Sequence, residues 1–149
     1  MRGKRFVLLA SAFHPSIGHA LVQGATQALL RAGVSRAAIR VVWAPGAFEL
    51  PAIAARLAKR RPRPDAIVAV GALIRGGTVQ YDVIAHAVAQ GLCQVAVEAA
   101  MPVTFGVIVA ETLAQATARA GGAEGNRGEE AAESALVMLR LFNASETSL

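Results

Sequence analysis

An α/β fold is predicted for this 149-residue chain. The expected form is a three-layer α/β/α sandwich around a central four-stranded parallel sheet. Two observations predict it. Short, almost continuous apolar runs recur along the chain, as in strands covered on both faces. Between them lie longer stretches with helical spacing of apolar residues. Alternation of this kind argues right-handed crossovers and helices on both faces of one parallel sheet.

Arg5–Ser11 (RFVLLAS) reads as the first strand. The first helix is expected over Ile17–Leu30, where Ile17, Leu21, Ala25, Ala28 and Leu29 fall on one face, and Ala32-Gly33 closes it. Ile39–Trp43 (IRVVW) is the second strand, and Pro45-Gly46 a turn. Phe48–Lys59 is the second helix, with Pro51 tolerated in its first turn. Ala66–Val70 (AIVAV) is the third strand, ending at Gly71. After the glycine-rich loop Arg75–Thr78, a long helix spans Val79–Glu98, with Ile84, Val88, Leu92 and Val95 on one stripe. Val103–Val109 (VTFGVIV) is the fourth strand. A helix over Glu111–Ala120 is closed by Gly121-Gly122, and a loop, Ala123–Arg127, leads to the last helix, Gly128–Leu141. The polar tail Asn143–Leu149 is expected to fray. No repeat, linker or low-complexity segment divides the chain, so residues 1–149 are read as a single domain.

Composition excludes several classes. The chain is 54% hydrophobic and 17% charged, with a mean hydropathy of +0.46, which is incompatible with disorder. Its longest apolar stretch, Ala66 to Ile74, is far short of the ~18 residues of a membrane span. The basic start, Met1 to Arg5, is followed by a strand pattern and no convincing cleavage site, so the expected setting is the cytoplasm. Apolar content this high with so few charges suggests surface buried against copies of the same chain. The net charge of +5 raises nucleic acid as a partner. The arginines look scattered, however, and the one dense cluster, Lys59 to Pro64, reads as a solvated loop, so no nucleic-acid or membrane partner is expected. One cysteine, Cys93, excludes an intramolecular disulfide and is expected to be a small buried hydrophobe.

In sheets of this kind ligands sit beyond the carboxyl ends of the strands. The candidate loops are Ala12–Ser16, Ala44–Glu49, Gly71–Thr78 and Ala110–Glu111. The dinucleotide and P-loop fingerprints are absent. His14, His19 and His86 form no ligand set, so no metal is expected. Gly76-Gly77-Thr78 precedes a helix, where backbone N–H groups and the helix dipole favour an anion and Thr78 suits the N-cap. The same residues also make an ordinary cap. Glu49 is a lone carboxylate in an apolar turn, placed either to satisfy a helix dipole or to accept hydrogen bonds from a polyhydroxylated ligand. Phe13, directly after the first strand, offers a face for a flat ligand.

Four segments together resemble 6,7-dimethyl-8-ribityllumazine synthase, a transferase of riboflavin biosynthesis. They are Trp43 to Pro51 (WAPGAFELP), Gly71 to Thr78 (GALIRGGT), Pro102 to Val107 (PVTFGV), and Ala118 to Gly121 with Gly125 to Gly128 (ARAG and GNRG). The resemblance covers nearly the whole chain, and the four motifs stand in the right order and spacing. It implies a flavodoxin-like fold, pentamers or multiples of them, and sites between adjacent subunits. It also implies condensation of 5-amino-6-ribitylamino-uracil with 3,4-dihydroxy-2-butanone 4-phosphate, giving the lumazine, phosphate and water without a cofactor.

The implied roles are specific. Phe13 stacks on the pyrimidine. Ala47, Phe48 and Glu49 hold the ribityl chain. Backbone groups of Ala72, Leu73 and Ile74 read the uracil edge. Gly77, Thr78 and Arg119 bind phosphate. Phe105 and Arg119 come from a neighbouring subunit. Three positions depart from the family pattern. Gln80 stands where the family carries its proton-transfer histidine, Arg127 where lysine is usual, with Glu130 near enough in sequence to pair with it, and His14 where asparagine is usual. Glutamine exchanges hydrogen bonds but carries no proton at neutral pH. Gln80 therefore keeps an alternative open, a non-catalytic relative that binds flavin or lumazine or serves as a structural shell. Archaeal-type riboflavin synthase shares the fold, but the match at Gly77, Thr78 and Arg119 argues against it.

Overall fold

The computed structural model describes residues 1–147. Four strands, β1 (Phe6–Ser11), β2 (Ile39–Ala44), β3 (Ala66–Ile74) and β4 (Val103–Ala110), form one parallel sheet in the order β2-β1-β3-β4. Phe6 lies opposite Ile39 on one side and Ala66 on the other. The two strands with continuous apolar runs are the central ones. All of β1 and Ala66 to Ala72 of β3 are buried. The edges leave large apolar side chains in the open: Val41 and Trp43 on β2, Phe105 and Val109 on β4.

Successive residues of a strand point to opposite faces, and here the two faces have separate cores. Leu8, Ala10, Val68 and Val70 pack with Leu21, Leu29, Ala132 and Leu136, from helices α1 (Pro15–Arg31) and α5 (Arg127–Thr147). Val7, Leu9, Ile67 and Ala69 pack with Leu50, Ala54, Val88 and Leu92, from α2 (Leu50–Ala58) and α3 (Gln80–Ala99). This is the expected α/β/α sandwich.

Several boundaries differ from the sequence reading, each for a local reason. The third strand does not stop at Val70 but runs to Ile74, because β4 pairs with it as far as Ile74 opposite Ala110. Gly71 marks a close approach and not a strand end, since a β-carbon there would stand 2.8 Å from Cβ of Ser11. The second helix opens as a 3₁₀ turn, Ala47–Glu49, before α2. The helix after β4 is short, α4 (Leu113–Ala118): the Thr112 hydroxyl caps it by accepting from the Gln115 N–H at 3.1 Å. Ala120 then enters a small antiparallel ribbon, β5 (Ala120–Gly122) with β6 (Gly125–Asn126), in place of the expected loop. The tail expected to fray continues α5 to Thr147, and Ser148 and Leu149 lie outside the described residues. Cys93 is exposed, not buried. It follows Leu92 by one residue, about 100° around a helix whose buried stripe is Val88, Leu92 and Val95.

The end of α3 carries a correctable strain. Ala100 has φ +46, and its N–H and that of Met101 donate to the carbonyls of Val97 and Ala96. This is the left-handed residue that ends many helices, a position that favours glycine. Ala100→Gly is expected to stabilise the fold by about 1 kcal/mol, read as a higher denaturant midpoint at unchanged slope.

Candidate active site

The C-terminal ends of the strands surround a cleft of about 500 Å³. Three strand ends and one helix start build it. From β1 the chain passes to Phe13, whose ring is largely exposed, and His14, at φ +63 with Pro15 beginning α1. The ring of His14 meets that of Phe13 edge-on at 4.9 Å. From β2 come Gly46, Ala47, Phe48 and Glu49. Gly46 leaves room for the carboxylate, since a β-carbon on it would stand 3.0 Å from Oε2 of Glu49. From β3 come Ala72 and Leu73, and from the first turns of α3 Gln80 and Ile84.

The walls are apolar, and the polar side chains are the carboxylate of Glu49 and the amide of Gln80. Backbone adds more. β1 pairs with β3 only as far as Val70, whereas β3 continues to Ile74. Beyond Val70 the β1 side of β3 has no strand partner among the described residues, so its N–H and C=O groups are open to a ligand edge.

The other expected residues stand around or away from this cleft. Ile74 is half-buried at the end of β3 and does not line the cavity. Gly77 and Thr78 are exposed in the loop just before Gln80, and a β-carbon on Gly76 or Gly77 would meet nothing within 4 Å. Thr78 is not the N-cap. Val79 takes that place, and the Thr78 hydroxyl accepts the Gln80 N–H at 3.4 Å. Phe105 projects from the edge strand β4 and does not line the cavity. Arg119 follows α4, its Nη1 donating to the Gln115 carbonyl at 3.2 Å, while its own carbonyl accepts from the Arg127 N–H at 2.9 Å. Arg127 and Glu130 do pair, at 2.6 and 2.7 Å. Phe13, Ala47, Phe48, Glu49, Ala72, Leu73 and Gln80 are thus brought together within one chain, and Phe105, Arg119, Arg127 and Glu130 are not.

Two lining residues were not singled out in the sequence. Gly46 fell within the candidate loop Ala44–Glu49 but was read there as a turn residue. Ile84 was placed on the buried stripe, although its spacing of four from Gln80 puts both on one helix face. Arg75, outside the cleft lining, donates its N–H to the Ala110 carbonyl at 2.9 Å, and its Nη1 lies 3.7 Å from Glu111, tying the glycine-rich loop to the end of β4.

Comparison with known proteins points to one family. The family model described as 6,7-dimethyl-8-ribityllumazine synthase matches residues 3–143. A protein of that name from Gemmatimonas aurantiaca is 46% identical over 141 residues, covering 95% of this chain and 85% of that protein. One from Prosthecochloris aestuarii is 44% identical over 141 residues, covering 95% and 90%. One from Chlorobaculum tepidum is 46% identical over 140 residues, covering 94% and 90%.

Proposed function

Because this chain belongs to the 6,7-dimethyl-8-ribityllumazine synthase family, we propose that its cleft condenses 5-amino-6-ribitylamino-uracil with 3,4-dihydroxy-2-butanone 4-phosphate. The observation that carries this reading is the convergence of Phe13, the Ala47–Glu49 turn and the open end of β3 on one apolar cavity with few polar groups. Phe13 stacks on the pyrimidine, and the backbone of Ala72, Leu73 and Ile74 reads its edge. Glu49 accepts hydrogen bonds from the ribityl hydroxyls beside Ala47 and Phe48. Gly77, Thr78 and Arg119 take the phosphate.

The reaction joins amine to ketone as an imine with loss of one water, expels phosphate, and closes the ring with loss of a second water. Holding two substrates together supplies a large entropic advantage. Positive charge and aligned N–H donors then stabilise the negative charge that develops on the leaving phosphate. Arg127, paired with Glu130 and donating its N–H to the Arg119 carbonyl, brings a second cation to the loop that carries Arg119.

Phe105 and Arg119 do not line the cleft of their own chain, which supports a site completed by a neighbouring subunit in a pentamer or a multiple of it. The exposed apolar side chains on both sheet edges, Trp43 and Phe105 among them, support the same assembly. We further read residues 1–149 as one domain acting in the cytoplasm. Among the described residues no helix is long and apolar enough to cross a membrane.

Purified protein is expected to form the lumazine from both substrates faster than they react unaided; rates equal to the enzyme-free control at saturating substrate would overturn the proposal. Gln80→His is expected to raise kcat roughly 10- to 100-fold with little change in either KM, because an imidazole there adds general acid–base assistance. The check is steady-state kinetics of both variants at one pH. An unchanged kcat would mean that proton transfer at this position does not limit turnover.

A further inference from the structure

The end of the molecule opposite the cleft concentrates positive charge. Arg40 near the start of β2, Arg56 in the last turn of α2, and Lys59, Arg60, Arg61 and Arg63 after it line three grooves of about 300, 230 and 660 Å³. Lys59 and Arg60 each belong to two of these grooves, so they form one continuous surface. Among the described residues none of the six cations has a carboxylate within 4.0 Å. Arg63 and Arg61 donate to the backbone carbonyls of Ala99 and Arg60, while the side chains of Arg40, Arg56, Lys59 and Arg60 make no bond there. Glu98 is the one carboxylate lining the grooves, and its Oε1 already accepts from Gln94 Nε2 at 2.8 Å. Asp65, close by in sequence, is held by Lys4 and the Arg5 N–H.

Like charges crowded without counter-charges repel one another, and a polyanion relieves that repulsion. The ground between them narrows the choice of polyanion. Ala58 and Val95 floor one groove, Leu57 and Pro62 another. The only aromatic residue among the lining, Phe6, is buried, so stacking platforms for nucleic-acid bases are missing. Cations spaced around small aliphatic hollows match a peptide in which carboxylates alternate with aliphatic side chains. We propose that this face docks an acidic peptide segment of a partner protein, its carboxylates on the six cations and its aliphatic side chains in the grooves.

The test is fluorescence anisotropy with the full-length protein and three labelled probes of equal length. One is a repeat of Asp-Asp-Leu, one a repeat of Asp-Asp-Gly, and one a single strand of thymidine nucleotides. The leucine peptide is expected to bind saturably and more tightly than the other two. Its affinity should fall at least roughly tenfold in Arg60→Glu/Arg61→Glu, and again on raising salt well above physiological strength. Lumazine formation by the variant should match the parent and so report its fold, and Lys59→Glu provides a second, milder variant with the same expected direction. Absence of saturable binding overturns the proposal, as does equal affinity for the glycine peptide or the thymidine strand. Unchanged binding in both variants overturns it too.

Discussion

Arg119→Ala should raise the KM for the butanone phosphate roughly 10- to 100-fold, the range a charge-assisted hydrogen bond to phosphate supports. The KM for the uracil substrate should move far less, because Arg119 stands outside the cleft that Phe13, Glu49 and β3 form within one chain. The guanidinium is already braced, with Nη1 on the Gln115 carbonyl, so little ordering remains when phosphate arrives. Arg119→Lys should restore part of the affinity, since a point charge survives but the planar fork does not. Steady-state kinetics with each substrate varied in turn measures all of this. A phosphate-substrate KM equal to the parent's would remove Arg119 from the site. The shared-site reading has its own consequence: Phe13→Ala and Arg119→Ala chains, each weak alone, should regain activity when assembled together. Mixed assemblies retain intact sites only if the two residues come from different subunits.

Gly128→Ala is expected to cost at least about 3 kcal/mol of stability, a large part of the 5–15 kcal/mol of an ordinary domain. A β-carbon at Gly128 would overlap the carbonyl oxygen of Leu21 and stand 2.8 Å from its carbonyl carbon. Those are backbone atoms of α1, so no side chain can swing away. The contact sits where the two helices are pinned: Asn126 donates to the Ala20 carbonyl at 3.0 Å and accepts from the N–H groups of Gly128 and Glu129. Relief would require parting α5 from α1, and with it Leu136 and Ala132 from Leu21. Denaturant unfolding checks it, with Gly76→Ala as the control. Nothing lies within 4 Å of a β-carbon there, so that substitution should leave the midpoint nearly unchanged, and a Gly128→Ala protein as stable as the parent would contradict the packing described.

The sandwich was legible because its signals are local. Runs such as Phe6-Val7-Leu8-Leu9 and Ile67-Val68-Ala69-Val70 specify strands buried on both faces, and intervening stretches of helical length specify crossovers. Boundaries were less legible where a residue served a neighbour distant in the chain. Gly71 looked like a terminator until Ser11 appeared against it, and β3 was extended by its pairing with β4. The ribbon of β5 and β6 has too few residues for a periodic signal. Cys93 was misplaced because an apolar neighbourhood in sequence does not fix an angle around a helix.

Four motifs in order were enough to point to the family that the match over residues 3–143 shows. The sequence by itself also determined the sheet and its covering helices, since apolar periodicity is set residue by residue. Which of the motif residues meet depends instead on the packing of distant segments. That packing drew Phe13, Glu49 and Gln80 to one cleft, left Phe105 and Arg119 outside it, and brought Arg40 and Arg56 onto one face with the cluster Lys59 to Arg63. Distances of this kind follow from strand order and register, in which β1 lies between β2 and β3. That order arises from packing between segments far apart in the chain, which no local pattern encodes.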